Sequence, residues 1–455
     1  MKTASVWKDR FAELKKPLVR EEARIESSRC LYCYDAPCMK ACPTHIDVPR
    51  FIRQIATDDP LGSGQTILEA NALGHSCARV CPVEVLCEGA CVYHDWHEKP
   101  IQIARLQRLA TDAVHASDEL PFEPGADNGK RVAVIGAGPA GVSCAVYLRR
   151  LGYAVTIFEK RKLPGGLNTF GVAEYKMGAK TSLEELRLLF RLGCDIVTGK
   201  EIGKALAADK ILADFDAVFL GVGLAKTRLL GIPGESLPGV VDALSFIERV
   251  KAHDLKLPGS SAATVVIGGG NTAIDAATQS RRAGVDKVTL AYRRGSEEMS
   301  AYDFEVALAK ADGVELLMHA VPKRIVGKGK VAGVEFAATK ARKKFTVPCD
   351  RVITAIGQGK DGRIAALFGL KINANGTVKV NAKTLATSKP AVFAGGDAVN
   401  GGKEVVNAAA DGKRAAWGLH LSLHPGAKPG PDDAYWVSTI DGRVVAPILP
   451  NTEHA

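Results

Sequence analysis

The sequence predicts an α/β protein in which a small helical domain rich in cysteine precedes two Rossmann-like domains. Eight of the eleven cysteines lie within the first 120 residues, between short segments with helical spacing of apolar residues. Beyond residue 130, β-branched strands alternate with helices, and the unit of strand, glycine loop, helix and strand occurs twice, about 130 residues apart. A chain of 455 residues that is 46% hydrophobic is long enough to bury several cores.

Charge and hydropathy exclude several classes of function. The net charge of +10 comes from Lys and Arg residues spread along the chain without a basic block, so we expect solvated surface and anionic cofactors and no nucleic acid partner. The N-terminus shows no signal peptide, and the longest uncharged apolar run, 132–148, is short for a bilayer. We expect a cytoplasmic protein without membrane attachment, in which clustered cysteines hold metal rather than form disulfides.

In the helical domain, "PRFIRQIATDD" and "PIQIARLQRLATDAV" show the apolar spacing of helices, and the polar stretch 118–130 is typical of a linker. The first glycine loop follows it as "GAGPAG", residues 136–141, between a predicted strand and a predicted helix. Its glycines allow backbone N–H groups to approach a pyrophosphate, and an acidic residue ending the next strand can accept hydrogen bonds from ribose hydroxyls. The candidate contacts are Gly136, Gly138, Pro139, Ala140, Gly141, Glu159 and Lys160.

The second glycine loop, "GGGNTA", spans residues 268–273, and its second strand ends in arginines where the first ends in Glu159. An Arg at this place can pair with a 2′-phosphate, so this half is expected to prefer NADP to NAD. The alternative is that these arginines only solvate a loop. The candidate contacts are Gly268, Gly270, Asn271, Thr272, Arg293 and Arg294.

A third signal is "VFAGGDAVNGGKEVVNAAADGKRAA", 392–416, in which a predicted strand, two glycines and an aspartate precede a helix starting near Glu404. Taken alone it is compatible with a turn. With the two glycine loops it resembles the two-dinucleotide-binding-domain flavoprotein family, in which FAD occupies the first unit and the nicotinamide domain is inserted into the FAD domain. The resemblance covers about 130–420 and implies flavin contacts at Gly396, Asp397 and, in the "PGGL" loop, Gly166 and Leu167.

Members of that family often relay electrons through a redox disulfide. After residue 130 this chain has only Cys144, Cys194 and Cys349, none of them in a C-x-x-C pair. We expect packed core residues at all three positions, which argues against a thioredoxin reductase.

The first cysteine run, "CLYCYDAPCMKACP", is close in spacing to the bacterial ferredoxin run, and its C-P ending recurs in "CARVCPVEVLCEGAC", residues 77–91. Spacing alone makes all eight cysteines ligands, four for each of two 4Fe-4S clusters. Zinc is the alternative, because C-x2-C pairs also form tetrahedral sites. His94 and His97 are expected to be surface residues.

Both runs, together with "PIQIARLQRLATD", closely resemble the N-terminal iron–sulfur domain of dihydropyrimidine dehydrogenase and the flavin subunit of its bacterial two-subunit form. The resemblance leaves Cys77 without a cluster, and it makes Gln107 a ligand where the residue alone would be interpreted as an ordinary surface position. The implied ligands are Cys30, Cys33, Cys38 and Cys91 for one cluster and Cys42, Cys81, Cys87 and Gln107 for the other.

This resemblance implies that NADPH or NADH reduces FAD, that the clusters carry single electrons onward, and that no acid–base catalytic residue is needed. The pyrimidine site, with FMN, is expected on a partner subunit in a hetero-oligomer. The expected domains are 1–120 for the iron–sulfur domain, 130–232 and 353–425 for the FAD domain, 233–352 for the inserted NAD(P) domain, and 426–455 for a tail without a motif.

Two other functions stay open. The small subunit of NADPH-dependent glutamate synthase shares the architecture, but its second cysteine run is typically shorter, of the C-P-x-P-C type. A zinc-stapled adaptor with vestigial nucleotide folds is disfavoured by the intact glycine loops. The chain departs from its relatives after "PGGL", where "GVAEY", 171–175, replaces a proline-containing segment and makes the loop geometry uncertain.

Overall fold

The computed structural model describes residues 7–253, 263–339 and 343–427, and it confirms a mixed α/β fold that begins with helices. The helices are α1 Arg20–Ser28, α2 Pro37–Ala41, α3 Val48–Ala56, α4 Pro60–Ala70, α5 Gly74–Val80, α6 Ile103–Ser117, α7 Pro139–Arg150, α8 Leu167–Phe170, α9 Ala179–Phe190, α10 Ala208–Asp214, α11 Ala243–Lys251, α12 Asn271–Arg282, α13 Asp303–Ala311, α14 Gly362–Leu367, α15 Asp397–Asn400 and α16 Val405–Leu423. The strands are β1 Arg131–Ile135, β2 Ala154–Glu159, β3 Cys194–Thr198, β4 Ala217–Leu220, β5 Val240–Asp242, β6 Ala263–Ile267, β7 Lys287–Ala291, β8 Glu315–Leu317, β9 Ala320–Val326, β10 Gly333–Ala338, β11 Lys344–Pro348, β12 Arg351–Thr354 and β13 Val392–Ala394. Within the described ranges, no helix has the length and apolar character needed to cross a membrane.

The chain divides into two compact units. The main unit consists of Lys15–Thr169, Lys180–Leu224 and Lys360–Ala455, and the inserted unit consists of Met1–Leu14, Phe170–Ala179 and Ala225–Gly359. This grouping differs from the boundaries expected from sequence, because two short segments distant in sequence pack with the inserted unit. The expected domain boundaries themselves stay a prediction.

The helical part of the main unit surrounds a core of fully buried Phe51, Ile52 and Ile67. Helices α3 and α4 each begin at an aspartate cap with a proline in the first turn. Asp47 accepts a hydrogen bond from the Arg50 N–H at 3.1 Å, which satisfies a helix-end donor. The short helices hold the cysteine-bearing loops between them, and the stretch 118–130 has no helix or strand, as its composition predicts.

The rest of the main unit is built on a parallel sheet with strand order β13-β4-β1-β2-β3. The central strand β1 pairs with β2 on one side and β4 on the other, and four of its five residues are buried. Because the strands are parallel, their carboxyl ends lie at one edge of the sheet, where ligands bind in folds of this type.

The inserted unit repeats this plan with a parallel sheet of order β5-β12-β6-β7-β8 and adds an antiparallel sheet of order β11-β10-β9. Residues of the segment Phe170–Ala179 are tied to it by buried polar contacts. Lys176 Nζ pairs with Asp275 at 2.8 Å and with Glu305 at 2.7 Å, and the Tyr175 hydroxyl donates to Asp275 at 2.8 Å. The departing "GVAEY" stretch therefore belongs to the packing of the inserted unit.

We predict that Phe51→Ala destabilises the main unit by about 3–5 kcal/mol, because it removes a fully buried ring from the helical core. Urea unfolding of the full-length chain is followed by circular dichroism. The first transition should occur at a lower urea concentration in Phe51→Ala than in the unsubstituted chain. Ile25→Ala is the matched control, since Ile25 lies on a neighbouring helix with 69% of its surface exposed. The control should change stability by less than about 0.5 kcal/mol; equal effects of the two variants would contradict this core.

Candidate functional site

The first glycine loop connects β1 to α7 in the main unit, and each glycine meets a different steric demand. Gly136 has φ +100°, and a Cβ there would meet the Gly221 carbonyl oxygen at 2.6 Å. A Cβ on Gly141 would meet the Gly136 carbonyl oxygen at 1.9 Å, so helix and loop pack backbone to backbone. Gly138, the N-cap of α7, has no neighbour closer than 3.8 Å to such a Cβ. The loop thus leaves its middle backbone open to a pyrophosphate.

Glu159 and the "PGGL" loop lie against this glycine loop. The buried Glu159 carboxylate, at the end of β2, accepts hydrogen bonds from the Ala137 N–H at 2.9 Å and the Arg161 N–H at 2.8 Å. Each carboxylate oxygen keeps lone pairs for ribose hydroxyls. Gly166 has φ +54°, and a Cβ there would meet Gly138 Cα at 2.8 Å. Lys160 is exposed, and Leu167 begins α8 with 38% exposure.

The "GGD" segment joins the same place from the end of β13. Gly396 has φ +68°, and a Cβ there would meet Ala140 Cβ at 2.9 Å, so only glycine fits beside the first turn of α7. Its N–H donates to Asp411 Oδ2 at 2.9 Å. Burial raises the pKa of Asp397, while a hydrogen bond from the Lys403 N–H at 3.2 Å opposes this shift. The main unit therefore brings the expected flavin contacts together around Gly138.

In the inserted unit, the second glycine loop lines a cavity of about 640 Å³ together with Thr272, Arg293 and Arg294. A Cβ on Gly268 would meet the Ala355 carbonyl oxygen at 2.3 Å, so this glycine permits close packing onto β12. Asn271 begins α12, and its Oδ1 accepts a hydrogen bond from the Tyr302 N–H at 3.0 Å. The loop, the helix start and the arginines thus share one cavity large enough for part of a dinucleotide.

The two arginines differ in how they are held. The Arg294 guanidinium donates to the Tyr292 hydroxyl at 2.6 and 2.9 Å and lies 3.4 Å from Glu298. Arg293 is exposed, and its side chain makes no hydrogen bond or ion pair with the described residues. Arg293 is therefore the more available cation at this edge of the cavity.

The first set of expected ligands meets in the helical part of the main unit. Cys30, Cys33, Cys38 and Cys91 all line one small cavity, although Cys91 lies more than fifty residues from the others in sequence. Burial raises the pKa of the Cys38 thiol to about 12, and the neighbouring Cys30 and Cys91 add to this shift. Metal coordination deprotonates such thiols outright, so this donor set fits a cluster held by four thiolates.

The second set is more deeply buried. Burial raises the pKa of the Cys87 thiol, and the proximity of Cys42 and Cys81 raises it further. A hydrogen bond with Cys77 raises the pKa of Cys81, and burial adds to it. Three of the four expected ligands are thus neighbours, and Cys77 lies beside them.

Gln107 projects from α6 and is only 7% exposed, so the interpretation as an ordinary surface residue is wrong. Its Nε2 donates to the Gly74 carbonyl oxygen at 2.7 Å, at the start of the helix that ends before Cys81. Such a hydrogen bond orients the amide and fits a role for Oε1 as a ligand. Its ligation of a cluster stays a prediction.

Other candidates are placed as follows. Cys144 and Cys349 are buried, in agreement with core packing, whereas Cys194 is only half-buried. His94 and His97 are exposed, as expected. In the part of the chain that the structure describes, no three His, Cys, Asp or Glu side chains are grouped to hold a single metal ion.

Comparison with known families agrees with this geometry. The family described as dihydropyrimidine dehydrogenase domain II, 4Fe-4S cluster, matches residues 7–119. The pyridine nucleotide-disulphide oxidoreductase family matches residues 130–412, more than half of the chain. The chain belongs to this oxidoreductase family. It is an NAD(P)H-dependent flavoprotein oxidoreductase whose cofactors are FAD and 4Fe-4S clusters.

Relatives of this oxidoreductase match nearly its whole length, which confirms the resemblance seen in its motifs. The NAD-dependent dihydropyrimidine dehydrogenase subunit PreT of Escherichia coli K12 is 36% identical over 400 residues, covering 88% of this chain and 93% of PreT. The small chain of NADPH glutamate synthase from Halomonas elongata is 33% identical over 440 residues, covering 90% of this chain and 92% of that one.

Solved structures support the fold of this oxidoreductase. Thioredoxin reductase of T. acidophilum superposes with a TM-score of 0.54 at 24% identity, covering 65% of this chain and 99% of that one. Mycobacterium tuberculosis FprA in complex with NADPH gives a TM-score of 0.54 at 19% identity, covering 68% of this chain and 90% of that one.

Sequence reasoning missed two residues of α16, of which Asp411 holds the "GGD" loop and Lys413 contacts the helical part of the main unit. Asp411 fixes the Gly396 N–H and pairs with Arg414 at 2.6 Å, and Lys413 is fully buried. Both fall in the stretch "DGKRAA" that follows the "GGD" signal, and a polar pair inside a helix of small residues was the only available hint.

We predict that Gly166→Ala lowers the FAD content of the purified protein by more than half. The added Cβ would meet Gly138 Cα at 2.8 Å and push the two loops apart. Flavin absorbance per polypeptide measures the effect. Gly129→Ala is the matched control, because Gly129 also has a positive φ, +73°, but its Cβ would meet nothing within 4 Å. Normal FAD content in Gly166→Ala would contradict the close approach of these loops.

Proposed function

We propose that this chain is the NAD(P)H-oxidising electron-input subunit of a dihydropyrimidine dehydrogenase, which reduces uracil and thymine through an FMN-containing partner subunit. The second cysteine run carries this proposal. Five residues separate Cys81 from Cys87, and Cys77 stands one helical turn before Cys81, a pattern that resembles the pyrimidine family. We infer a hetero-oligomer in the cytoplasm, where thiols stay reduced.

The glutamate synthase small chain is the second candidate. The identities to the two kinds of relative, 36% and 33%, are too close to distinguish them. The second cysteine run of the glutamate synthase family is typically shorter than the second run of this chain. This difference separates the chain from that family.

We assign Cys30, Cys33, Cys38 and Cys91 to one cluster and Cys42, Cys81, Cys87 and Gln107 to the other. The shared cavity supports the first set, and the mutual proximity of three thiols supports the second. A flavin bound at the first glycine loop would supply the exchange between a two-electron donor and one-electron clusters. The chain's own residues serve this chemistry by binding and orienting the cofactors, with no acid–base group required.

We predict uracil-dependent oxidation of NADPH or NADH when this chain is purified without oxygen together with the polypeptide encoded next to it, which we expect to carry FMN. The loss of nucleotide absorbance with and without uracil is the measurement. Activity only with glutamine and 2-oxoglutarate would replace this proposal with the glutamate synthase assignment.

The variant Cys42→Ser tests whether electrons pass through the cluster that Cys42 is proposed to bind. Loss of one thiolate should leave FAD content and NAD(P)H-dependent dye reduction intact while uracil-dependent oxidation falls. Unimpaired uracil reduction by this variant would argue against a relay through that cysteine.

We also propose that Arg293 selects NADPH. Arg293→Ser should raise KM for NADPH about tenfold or more, because a charged hydrogen bond contributes about 1.5–3 kcal/mol, and leave KM for NADH unchanged. Dye-reduction kinetics with both nucleotides measure this split. Arg324→Ser is the control, since Arg324 is an exposed arginine of the same unit that pairs with Glu335 and does not line the cavity. Equal effects on NADH and NADPH would show that Arg293 does not contact the 2′-phosphate.

A further inference from the structure

One turn of α16, residues 411–413, connects the flavin side of the main unit to its cysteine-bearing helices. Asp411 accepts the hydrogen bond from the Gly396 N–H. A Cβ on Gly412 would meet the Ala140 carbonyl oxygen at 2.2 Å, so α16 and α7 touch backbone to backbone. Lys413, the next residue, extends toward the first cysteine run.

The Lys413 side chain is fully buried, with 0% exposure. Its Nζ donates to the Thr44 carbonyl oxygen and to the Ala70 carbonyl oxygen, both at 2.9 Å. Thr44 lies two residues after Cys42, and Ala70 is the last residue of α4. The two carbonyl oxygens accept from two of its three N–H groups, and the centroid of the Tyr147 ring lies 5.8 Å from Nζ. These dipoles carry no net negative charge to balance an ammonium group.

The described residues offer no carboxylate within ion-pairing distance of Lys413. Burial lowers the pKa of Lys413 to about 7, and the nearby Cys42 opposes this shift. Cys42 is held close by, with its Sγ 3.2 Å from the hydroxyl of Thr44, the residue whose carbonyl Lys413 contacts. Cys42, the cysteine expected to hold a cluster, is thus placed where a thiolate would supply the missing counter-charge.

We propose that Lys413 is a positioning residue that places a fixed positive charge beside the cluster bound by Cys42 and raises the reduction potential of that cluster. The inference rests on the proposed assignment of Cys42 to a cluster and is independent of which acceptor the partner reduces. Thiolates bound to iron stay charged and favour the ammonium form of the neighbouring amine.

The direction of the effect follows from charge. Reduction adds one electron to the cluster, and a cation in a medium of low dielectric constant stabilises the more negative state. The transfer is a one-electron step in which the flavin loses the electron that the cluster gains. Because Asp411 and Lys413 lie on the same helical turn, the loop at Gly396 and the charge near Cys42 are held by one rigid element.

The test is Lys413→Met in the full-length chain, purified without oxygen and titrated electrochemically with EPR detection of the clusters and absorbance detection of the flavin. We expect the midpoint potential of one cluster to fall by about 59 mV, equivalent to a tenfold change in the equilibrium for electron transfer. The other cluster and the flavin should keep their potentials, and dye reduction by NAD(P)H should be unchanged.

Two further variants separate charge from packing. Lys413→Gln keeps N–H donors for the two carbonyls but removes the charge, so it should lower the same potential. Lys251→Met removes another buried lysine, which donates to the Met177 carbonyl oxygen in the inserted unit, and should leave every potential unchanged. Unchanged potentials in both Lys413 variants, or loss of a cluster from both while Lys251→Met keeps its clusters, would overturn the proposal. Two intact clusters in Cys42→Ser would instead refute the ligand assignment, so the two failures are distinguishable.

Discussion

The contact on which the main unit depends is the backbone packing of α16 against α7 at Gly412. A Cβ there would stand 2.2 Å from the Ala140 carbonyl oxygen, so no other residue allows the two helices to lie so close. That distance lets Asp411 reach the Gly396 N–H and lets Gly396 rest on the first turn of α7, where its own Cβ would meet Ala140 at 2.9 Å. The flavin-side loops are therefore set by helix packing, and the glycines of the first motif only complete a geometry that the last helix imposes.

The inserted unit obtains its order from polar contacts instead. Lys176 is buried between the carboxylates of Asp275 and Glu305, and the Tyr175 hydroxyl donates to the same aspartate. Because Asp275 lies on the helix that begins at Asn271, this network fixes both the glycine-loop helix and the segment Phe170–Ala179. Removing one partner from such a buried group leaves an uncompensated charge, which costs far more than the pair contributes. The main effect of the network is therefore to specify one packing arrangement for this segment. Its contribution to the free energy of unfolding is the smaller effect.

Most of the geometry of the glycine-bearing loops could be predicted because its demands are local. A tight turn needs glycine at Gly136, and a close approach needs it at Gly166, wherever these occur in the chain. The position of Gln107 could not be predicted from its own residue type, since its burial depends on how α5 packs on α6. The same holds for residues 7–14, whose membership of the inserted unit results from contacts far apart in sequence, such as the Leu14 N–H with the Tyr175 carbonyl oxygen. The burial of Lys413 could not be predicted either, because a lysine within a helix normally indicates a solvated face.

Three lysines with little solvent exposure show how the fold treats a desolvated cation. Lys176 has two carboxylates at hydrogen-bonding distance, and Lys251 has the Glu174 carboxylate at 3.8 Å. Both charges are compensated within the polypeptide, and both belong to the unit that carries no cysteine cluster. Lys413 has two carbonyl oxygens and the Tyr147 ring beside it, and no carboxylate among the described residues at ion-pairing distance, although it is the least exposed of the three. A charge left without a carboxylate in the protein interior is costly unless something negative arrives from outside the polypeptide. With the proposed cluster assignment, an iron-bound thiolate at Cys42 would supply that negative charge, and its attraction for Lys413 would be stronger in the reduced cluster.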